Sequence, residues 1–483
     1  MNPDAIILSA DELAEVTGGT WSSTSDIPEF LRISLNYKDI QPGDLLITTN
    51  RDQWHTSQSF SENSRVLDKV VEVVTAAVVR KEFVYEGAGL LRVEDSYSAF
   101  KAIANAVRDR STAKRILVTG TEGKTGFKIL FAHLTSDQLS LNTKLDSKNM
   151  GIGIRLVLAN TKLHHQISLI EVAVPLLKHG IKRSQIVKPH LCVITEIGYE
   201  HLATHGSVEN LIAAKASVVK GLQYGGCCVV KSDSRYYQKL RAEILKYGDI
   251  PIFTFGDNAD DYAQLLYADF DSELLGWRVN VRISTEQYHF FLPTIEEHAP
   301  LSTVGVLAAI SLAGLDISAA VKRFESYQPF QTSGRLYELP LTGGTYTIYD
   351  QSFRSSVLGI VDFFKVAKRL KPRNDGHKIL VLGPVYDENE YGSIIWELIP
   401  PSYLRDLIEQ AKFDKIFTIG NAEDFKGCLQ GLTSPHRHYL HPKEVVQPLT
   451  DILKANDLLM IKGDKIDEMT LVSKLLREQA ESI

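Results

Sequence analysis

The stretch Leu117-Val118-Thr119-Gly120-Thr121-Glu122-Gly123-Lys124-Thr125 decides the fold. An apolar strand, residues 115 to 119, runs into a glycine turn. A helix beginning near Lys124 then aims its unpaired backbone N–H groups and the positive end of its dipole at whatever sits in that turn. Such a loop holds a nucleotide phosphate. Lys124 is placed to neutralise the outer phosphates, and the Thr125 hydroxyl to join the shell of a Mg2+ ion. The general pattern GxxxxGK[ST] would place glycine where Val118 stands, and the nearest glycine before Gly123 is Gly120. The shorter form GTxGKT fits fully, so Gly120, Thr121, Glu122, Gly123, Lys124, Thr125 and Gly126 form the expected nucleotide-binding set.

Outward from the loop, strands and helices alternate. Strands are expected at 116–119, 166–172, 190–196 and 227–231, and helices at 124–135 and 207–222. This pattern argues for a doubly wound, mainly parallel sheet whose ligands bind at the carboxyl ends of its strands. Before it, residues 1–112 form a smaller mixed α/β module. It has a helix at 9–17, a Pro42-Gly43-Asp44 turn into a strand at 45–48, a strand at 76–79 and a helix at 96–110. A junction at Gly334-Arg335 opens a third region with strands at 345–349, 378–382, 415–419 and 457–461. The expected class is therefore α/β with three domains: a small N-terminal domain (1–112), a central P-loop domain with a doubly wound, mainly parallel sheet (113–332) and a C-terminal Rossmann-like domain (333–483).

Composition excludes several functions. With 53 Lys+Arg against 59 Asp+Glu the net charge is -6, and no basic tract or arginine-rich arm suggests a nucleic-acid partner. The four cysteines, Cys192, Cys227, Cys228 and Cys428, lack any metal-binding spacing and fit a reducing cytoplasm. No stretch nears the roughly 18 uninterrupted apolar residues of a membrane span. Residues 1–24 carry Asp4, Asp11, Glu12 and Glu15, unlike a signal peptide.

Three further residues lie where the nucleotide would be. The strand ending at Glu171 and the strand ending near Gly198-Tyr199-Glu200-His201 deliver a carboxylate and an imidazole to the same sheet edge as the loop. Both side chains are able to complete metal coordination. Lys215 contradicts its surroundings: on the helix that begins after Ser207, the helical period places it on the apolar stripe of Val208, Leu211, Ile212, Val219 and Leu222. An ammonium there must snorkel, pair or change its charge state.

In order and spacing, Thr119 to Thr125, Glu171, Thr195-Glu196-Ile197-Gly198-Tyr199-Glu200-His201, Ala214-Lys215, Gly334-Arg335 and the strand end at Asp350 resemble the Mur ligases. The pattern is most similar to the type that adds D-alanyl-D-alanine, the MurF type. That type is echoed by Ala10-Asp11-Glu12-Leu13-Ala14, Ile40-Gln41-Pro42-Gly43-Asp44-Leu45 and Leu458-Leu459-Met460-Ile461-Lys462-Gly463. The resemblance implies an ATP-dependent ligase, forming an amide through an acyl phosphate. It implies that Lys124 and the loop amides hold the phosphates, that Thr125 and Glu171 bind one Mg2+, and that His201 with a carbamylated Lys215 binds a second. It also implies that Arg335 reaches the γ-phosphate from the third domain and that Asp350 contacts the nucleotide. Lys124, His201, Lys215 and Arg335 would form the catalytic set. The partners would be a small-molecule carboxylate and an amine such as an amino acid or dipeptide, acted on by a monomer.

The departures concern recognition. Asn36-Tyr37-Lys38 replaces the Asp-Ser-Arg of the MurF type that contacts uridine, and Gln53-Trp54-His55 replaces its Asp-Gly-His. Gly126 stands for a threonine and Glu196 for an asparagine. Leu301-Ser302-Thr303-Val304-Gly305 stands for the segment that reads adenine, and residues 350–357 depart from Asp-Asp-Ser-Tyr-Asn-Ala-Asn-Pro. Three readings follow: a ligase with a non-standard substrate, a divergent wall enzyme acting on a UDP-linked muramyl peptide, and a Mur-derived nucleotide-binding protein without turnover.

Overall fold

The computed structural model describes residues 3–22, 27, 29–49, 76–83, 89–144, 149–198, 202–329, 334–353, 355–384, 399–465 and 467–481. Three α/β domains, each with its own sheet, follow one another along the chain. The first sheet contains β1 (Thr20–Trp21), β2 (Arg32–Ser34), β3 (Asp44–Ile47), β4 (Ala76–Arg80) and β5 (Leu90–Val93) in the order β1-β5-β4-β3-β2. All its pairings are parallel except β1 with β5. The helix Ser96–Arg110, capped by the Asp95 carboxylate on the N–H groups of Tyr97 and Ser98, buries Phe100, Ile103, Ala104 and Val107 in this core.

The central sheet has nine strands: β6 (Lys114–Thr119), β7 (Leu141–Asn142), β8 (Ile167–Glu171), β9 (Leu191–Ile194), β10 (Cys227–Lys231), β11 (Ile252–Gly256), β12 (Ala263–Asp271), β13 (Gly276–Ile283) and β14 (Glu286–Leu292). Their order is β14-β13-β12-β11-β10-β9-β6-β8-β7, parallel from β7 to β12 and antiparallel through β13 and β14. Because β6 lies between β8 and β9, the chain switches direction across the sheet at the phosphate loop, where an open sheet leaves a crevice for its ligand. Alternation along β6 sorts its side chains: Ile116 and Val118 join the core of helices Lys124–Leu134 and Ala299–Ala313, while Leu117 joins that of Gly151–Ala159 and Val208–Ala216.

The helix expected at 207–222 is α-helical over Val208–Ala216 and tightens to a 3-10 turn over Ser217–Gly221. It crosses the helix Leu177–Val187 at two glycines that leave no space. A methyl on Gly180 would stand 2.0 Å from Ser217 Oγ, and one on Gly221 would stand 2.2 Å from the Ser184 carbonyl carbon. Glycine permits the approach, and the approach fixes where Lys215 sits.

The third sheet contains β15 (Arg335–Leu341), β16 (Gly344–Gln351), β17 (Lys378–Leu382), β18 (Lys415–Ile419), β19 (His436–Tyr439) and β20 (Leu458–Lys462), ordered β15-β16-β20-β17-β18-β19 and parallel except for β15 with β16. The helices Val357–Arg369 and Pro401–Ala411 cover one face, and Pro442–Ile452 and Thr470–Ala480 the other. Arg369 pins this domain to the central one. Its guanidinium donates to Glu297 Oε1 at 2.9 Å and to the Ile295 carbonyl at 2.5 Å, and lies 3.8 Å from the ring centroid of Phe270 and 4.9 Å from that of Trp277. Among the described residues, no helix is long and apolar enough to cross a membrane.

Candidate active site

The phosphate loop is built into the strand ends beside it. Gly120 has φ +148°, and a methyl there would fall 2.1 Å from Thr195 Oγ1, so only glycine fits. Thr195 Oγ1 in turn donates to the Glu122 carbonyl at 2.5 Å, while Thr121 N donates to the Glu196 carbonyl at 2.7 Å and Gly198 N to Thr121 Oγ1 at 3.0 Å. Gly123, at φ +81°, starts the helix Lys124–Leu134. The Lys124 ammonium curls back to the carbonyls of Gly120 (2.9 Å) and Thr121 (2.7 Å), so it lies within the loop it would share with a phosphate. Glu122, on the same loop, adds a negative charge, and Gly126 opens onto free space.

Glu171 closes β8 beside this helix. It is buried, and Thr125 Oγ1 donates to its Oε2 at 3.0 Å, Asn149 Nδ2 to its Oε1 at 2.8 Å, with Lys128 Nζ 3.1 Å from Oε2. Burial acts against its charge, but Lys128, Asn149 and Lys124 outweigh burial and hold its pKa below the ordinary carboxylate value. An ionised carboxylate hydrogen-bonded to a hydroxyl at a helix start is a donor set suited to Mg2+.

Lys215 is 3% exposed. Burial drives its pKa well below the ordinary lysine range, and the positive charges of Lys124 and Arg183 push it further down. A buried amine whose charge is disfavoured in this way must pair or change its charge state. His201, together with Tyr199 and Glu200, lies outside the described residues. Among the described residues, no group of three or more His, Cys, Asp or Glu side chains is arranged to hold a metal.

In the third domain, Asp350 is placed differently from the implied contact with the nucleotide. Asp350 does not face the cleft. Its Oδ1 accepts from Ser352 N (3.0 Å) and Ser352 Oγ (2.6 Å) and its Oδ2 from Ser473 Oγ (2.5 Å), with the side chain enclosed in the C-terminal core. Successive residues of a strand face opposite ways. It is Gln351, one position on, that lines the cleft. Arg335 opens the edge strand β15, donates to Gln328 Oε1 at 2.9 Å and stacks over Tyr337, and is not among the residues lining the cavities at the loop.

Between the central and third domains lie two adjoining cavities. The larger, about 460 Å³, has apolar walls of Phe127, Leu130, Phe255, Leu301, Val306 and Val361, and adjoins the loop at Glu122, Gly123 and Gly126. The smaller, about 260 Å³, lies where Glu122, Glu296, Gln351, Ser356 and Lys462 converge. Sequence reasoning gave no role to most of these groups. Buried Glu296 accepts from Tyr349 Oη at 2.6 Å and from Gln351 Nε2 at 2.9 and 2.8 Å, and Lys462 Nζ donates to Gln351 Oε1 at 3.1 Å. Desolvation lowers the Lys462 pKa to about 8 despite Glu296 and Glu122 nearby. His298 pairs with Asp362 across the domain boundary at 3.0 Å. Desolvation opposes its protonation, but Asp362, Glu296 and Glu122 prevail and raise its pKa to about 9. The charged trio Glu296-Glu297-His298, interrupting an apolar stretch just before a helix, was the signal available in the sequence.

Comparison with known proteins finds similarity at low identity. Residues 118–309 match the Mur ligase middle domain. The chain is 22% identical over 438 residues to the UDP-N-acetylmuramoyl-tripeptide--D-alanyl-D-alanine ligase of Rickettsia prowazekii, covering 90% of this chain and 92% of that protein. It is 23% identical over 476 residues to the corresponding ligase of Buchnera aphidicola, covering 98% and 99%. Among solved structures, MurF from Acinetobacter baumannii superposes with a TM-score of 0.79 at 18% identity, over 98% of this chain and all (100%) of that one. The MurF ligase from Thermotoga maritima in complex with ADP gives 0.73 at 17% identity, over 93% and 98%.

Proposed function

We propose, for this divergent, MurF-like member of the Mur ligase family, an ATP-dependent ligase that joins a carboxylate to an amine through an acyl phosphate. The observation that carries the proposal is the Thr125–Glu171 pair at the start of the phosphate-loop helix, with the buried Lys215 amine close enough to feel the charge of Lys124. In this reading residues 113–332 bind ATP, 1–112 hold the acid substrate, and 333–483 bring the amine. The enzyme works as a cytoplasmic monomer on small molecules.

Each residue has a task. Lys124 moves from the loop carbonyls to the outer phosphates, and the loop N–H groups hold them in line. Thr125 and Glu171 would hold one Mg2+, and His201 with a carbamylated Lys215 would hold a second. Metal ions held there would supply positive charge against phosphate and carboxylate. A substrate carboxylate attacks the γ-phosphate, giving acyl phosphate and ADP, and the amine then displaces phosphate. Arg335 reaches the phosphate only when the third domain closes further, giving up Gln328. Asp350 does its work one step removed, ordering Ser352 and Ser473 beneath the cleft.

For the substrate we favour one outside the standard wall pathway. Asn36 spends its side chain capping the turn Tyr37–Asp39, accepting from Lys38 N at 3.1 Å. A cavity of about 300 Å³ lies there between the first and central domains, with Arg32, Asn36, Lys144, Lys162 and His165 among its polar lining and Leu156 among its apolar. The second reading, a divergent UDP-N-acetylmuramoyl-tripeptide D-alanyl-D-alanine ligase, has in its favour the relatives that align over 90% and more of the chain.

A screen for amine-dependent phosphate release over carboxylates with and without a UDP handle tests these readings. Release with free carboxylates supports the first, and release only with UDP-muramyl peptides supports the second. No release with any pair leaves a nucleotide-binding protein without turnover and overturns both.

A further inference from the structure

The larger cavity at the domain boundary continues from the phosphate loop along the helix Ala299–Ala313, the direction a nucleotide would take away from its phosphates. Its walls are an apolar slot, Phe127 and Leu130 on one side and Phe255, Leu301 and Val306 on the other, closed by Val361 of the third domain. A flat base gains from burial in such a slot whatever its edge carries.

The polar side chains of the wall are committed elsewhere. Glu196 Oε1 accepts from Ser234 Oγ and Ile197 N, both at 2.8 Å, and Oε2 from Lys231 Nζ at 2.5 Å. Asp362 accepts from His298 at 3.0 Å and Lys365 at 3.3 Å, and Glu297 accepts from Arg369 at 2.9 Å. Every carboxylate on the slot beyond the loop thus already has a cationic donor. Beyond the loop, Ser302 presents a hydroxyl to the slot from the exposed side of its helix. A hydroxyl rotates to donate or to accept, so it satisfies the amino group at C6 of adenine as readily as the carbonyl at C6 of guanine.

We propose that the base slot takes purine nucleotides by apolar burial and does not distinguish a 6-amino from a 6-oxo purine, so that guanosine and inosine triphosphates serve alongside ATP. The inference rests on the ligase reading for the identity of the slot. A site rejects the wrong analogue strongly only when it leaves buried polar groups unpaired, and here Glu196, Asp362 and Glu297 are paired with Lys231, with His298 and Lys365, and with Arg369, which leaves the rotatable hydroxyl of Ser302 to meet the base edge.

The test is displacement of a fluorescent ADP derivative from the full chain in Mg2+ by ADP, GDP and IDP. The expected dissociation constants for the three lie within thirtyfold of one another. A larger preference for ADP overturns the inference while leaving the ligase reading intact, and failure of every nucleotide to bind overturns the ligase reading as well. The variant Ser302→Asn supplies a second readout. A fixed amide pairs the donor and acceptor of adenine N6 and N7 but not the two acceptors of guanine O6 and N7. The ADP:GDP affinity ratio is expected to rise about tenfold, and an unchanged ratio overturns the assignment of this wall to the base edge.

Discussion

The Tyr349 hydroxyl donates to Glu296 Oε1 at 2.6 Å, joining the second strand of the third domain to the segment by which the central domain hands over to its last long helix. Glu296 also receives both bonds from Gln351, and Gly334 lies so close that a methyl there would fall 1.9 Å from the carboxylate oxygen. One carboxylate therefore joins the two domains. Hydrogen bonds to a charged acceptor contribute about 1.5–3 kcal/mol. Tyr349→Phe should lower unfolding stability by about 1–2 kcal/mol, since Gln351 still satisfies the carboxylate. Glu296→Ala, which strands the tyrosine hydroxyl in the core, should cost more. Denaturant melts of the two variants check the ranking, and equal losses would refute it.

The His298–Asp362 contact crosses the same boundary and should be visible by NMR. With its pKa at about 9 the imidazole is charged at neutral pH, and the stabilisation it gives is complete below its unfolded value and lost as pH rises through 9. The ring is 55% exposed, so screening keeps the energy below about 1 kcal/mol. Asp362→Asn should return the imidazole titration toward the ordinary value near 6.5.

Lys462 works in the opposite sense. Its ammonium is held at a pKa of about 8 in the folded chain, below the 10.5 of a free lysine. Below pH 8 both states are protonated and the folded state bears the full desolvation cost. As pH rises from 8 to 10.5 the unfolded state holds the extra proton, and the cost disappears. At one unit per 1.36 kcal/mol the shift corresponds to roughly 3 kcal/mol. Lys462→Met should therefore be more stable than the parent at pH 7, with the advantage vanishing by pH 10.5. A pH series of urea melts on both proteins measures it.

Lys215→Ala should cripple amine-dependent phosphate release, and short-chain carboxylic acids should restore part of it by filling the position of the carbamate. Full activity in the unsupplemented variant would remove the carbamate from the mechanism. Lys124→Ala should abolish release with no rescue.

Much of this site was legible because its chemistry is local. The run Gly120 to Thr125 announces a strand–turn–helix, and the stripe Leu211, Ile212, Lys215 announces a buried amine, since both depend on spacing along one element. The strands at 227–231, 378–382 and 415–419 were readable end to end as short apolar runs. What escaped depends on distant residues or on apolar composition. The helix Ala299–Ala313 buries residues on all sides, so it has no stripe to read. Asp350 and Gln351 exchange roles by one step of a strand, a distinction set by which face of β16 meets the core. Gln351 and Lys462 are partners on neighbouring strands of the third sheet, and Glu296 meets them from a distant segment of the central domain.

The glycine crossing of Gly180 on Ser217 and Gly221 on Ser184 has a practical consequence for anyone scanning this protein by mutation. Neither glycine lines the three cavities described above, so Gly180→Ala and Gly221→Ala would look like remote, long-range lesions of catalysis. The effect would be mechanical: one added carbon acts as a wedge between two helices and carries the amine of Lys215 off its mark. Conversely, a natural variant that keeps both glycines while changing every residue around the base and acid cavities has kept its chemistry and exchanged its clientele.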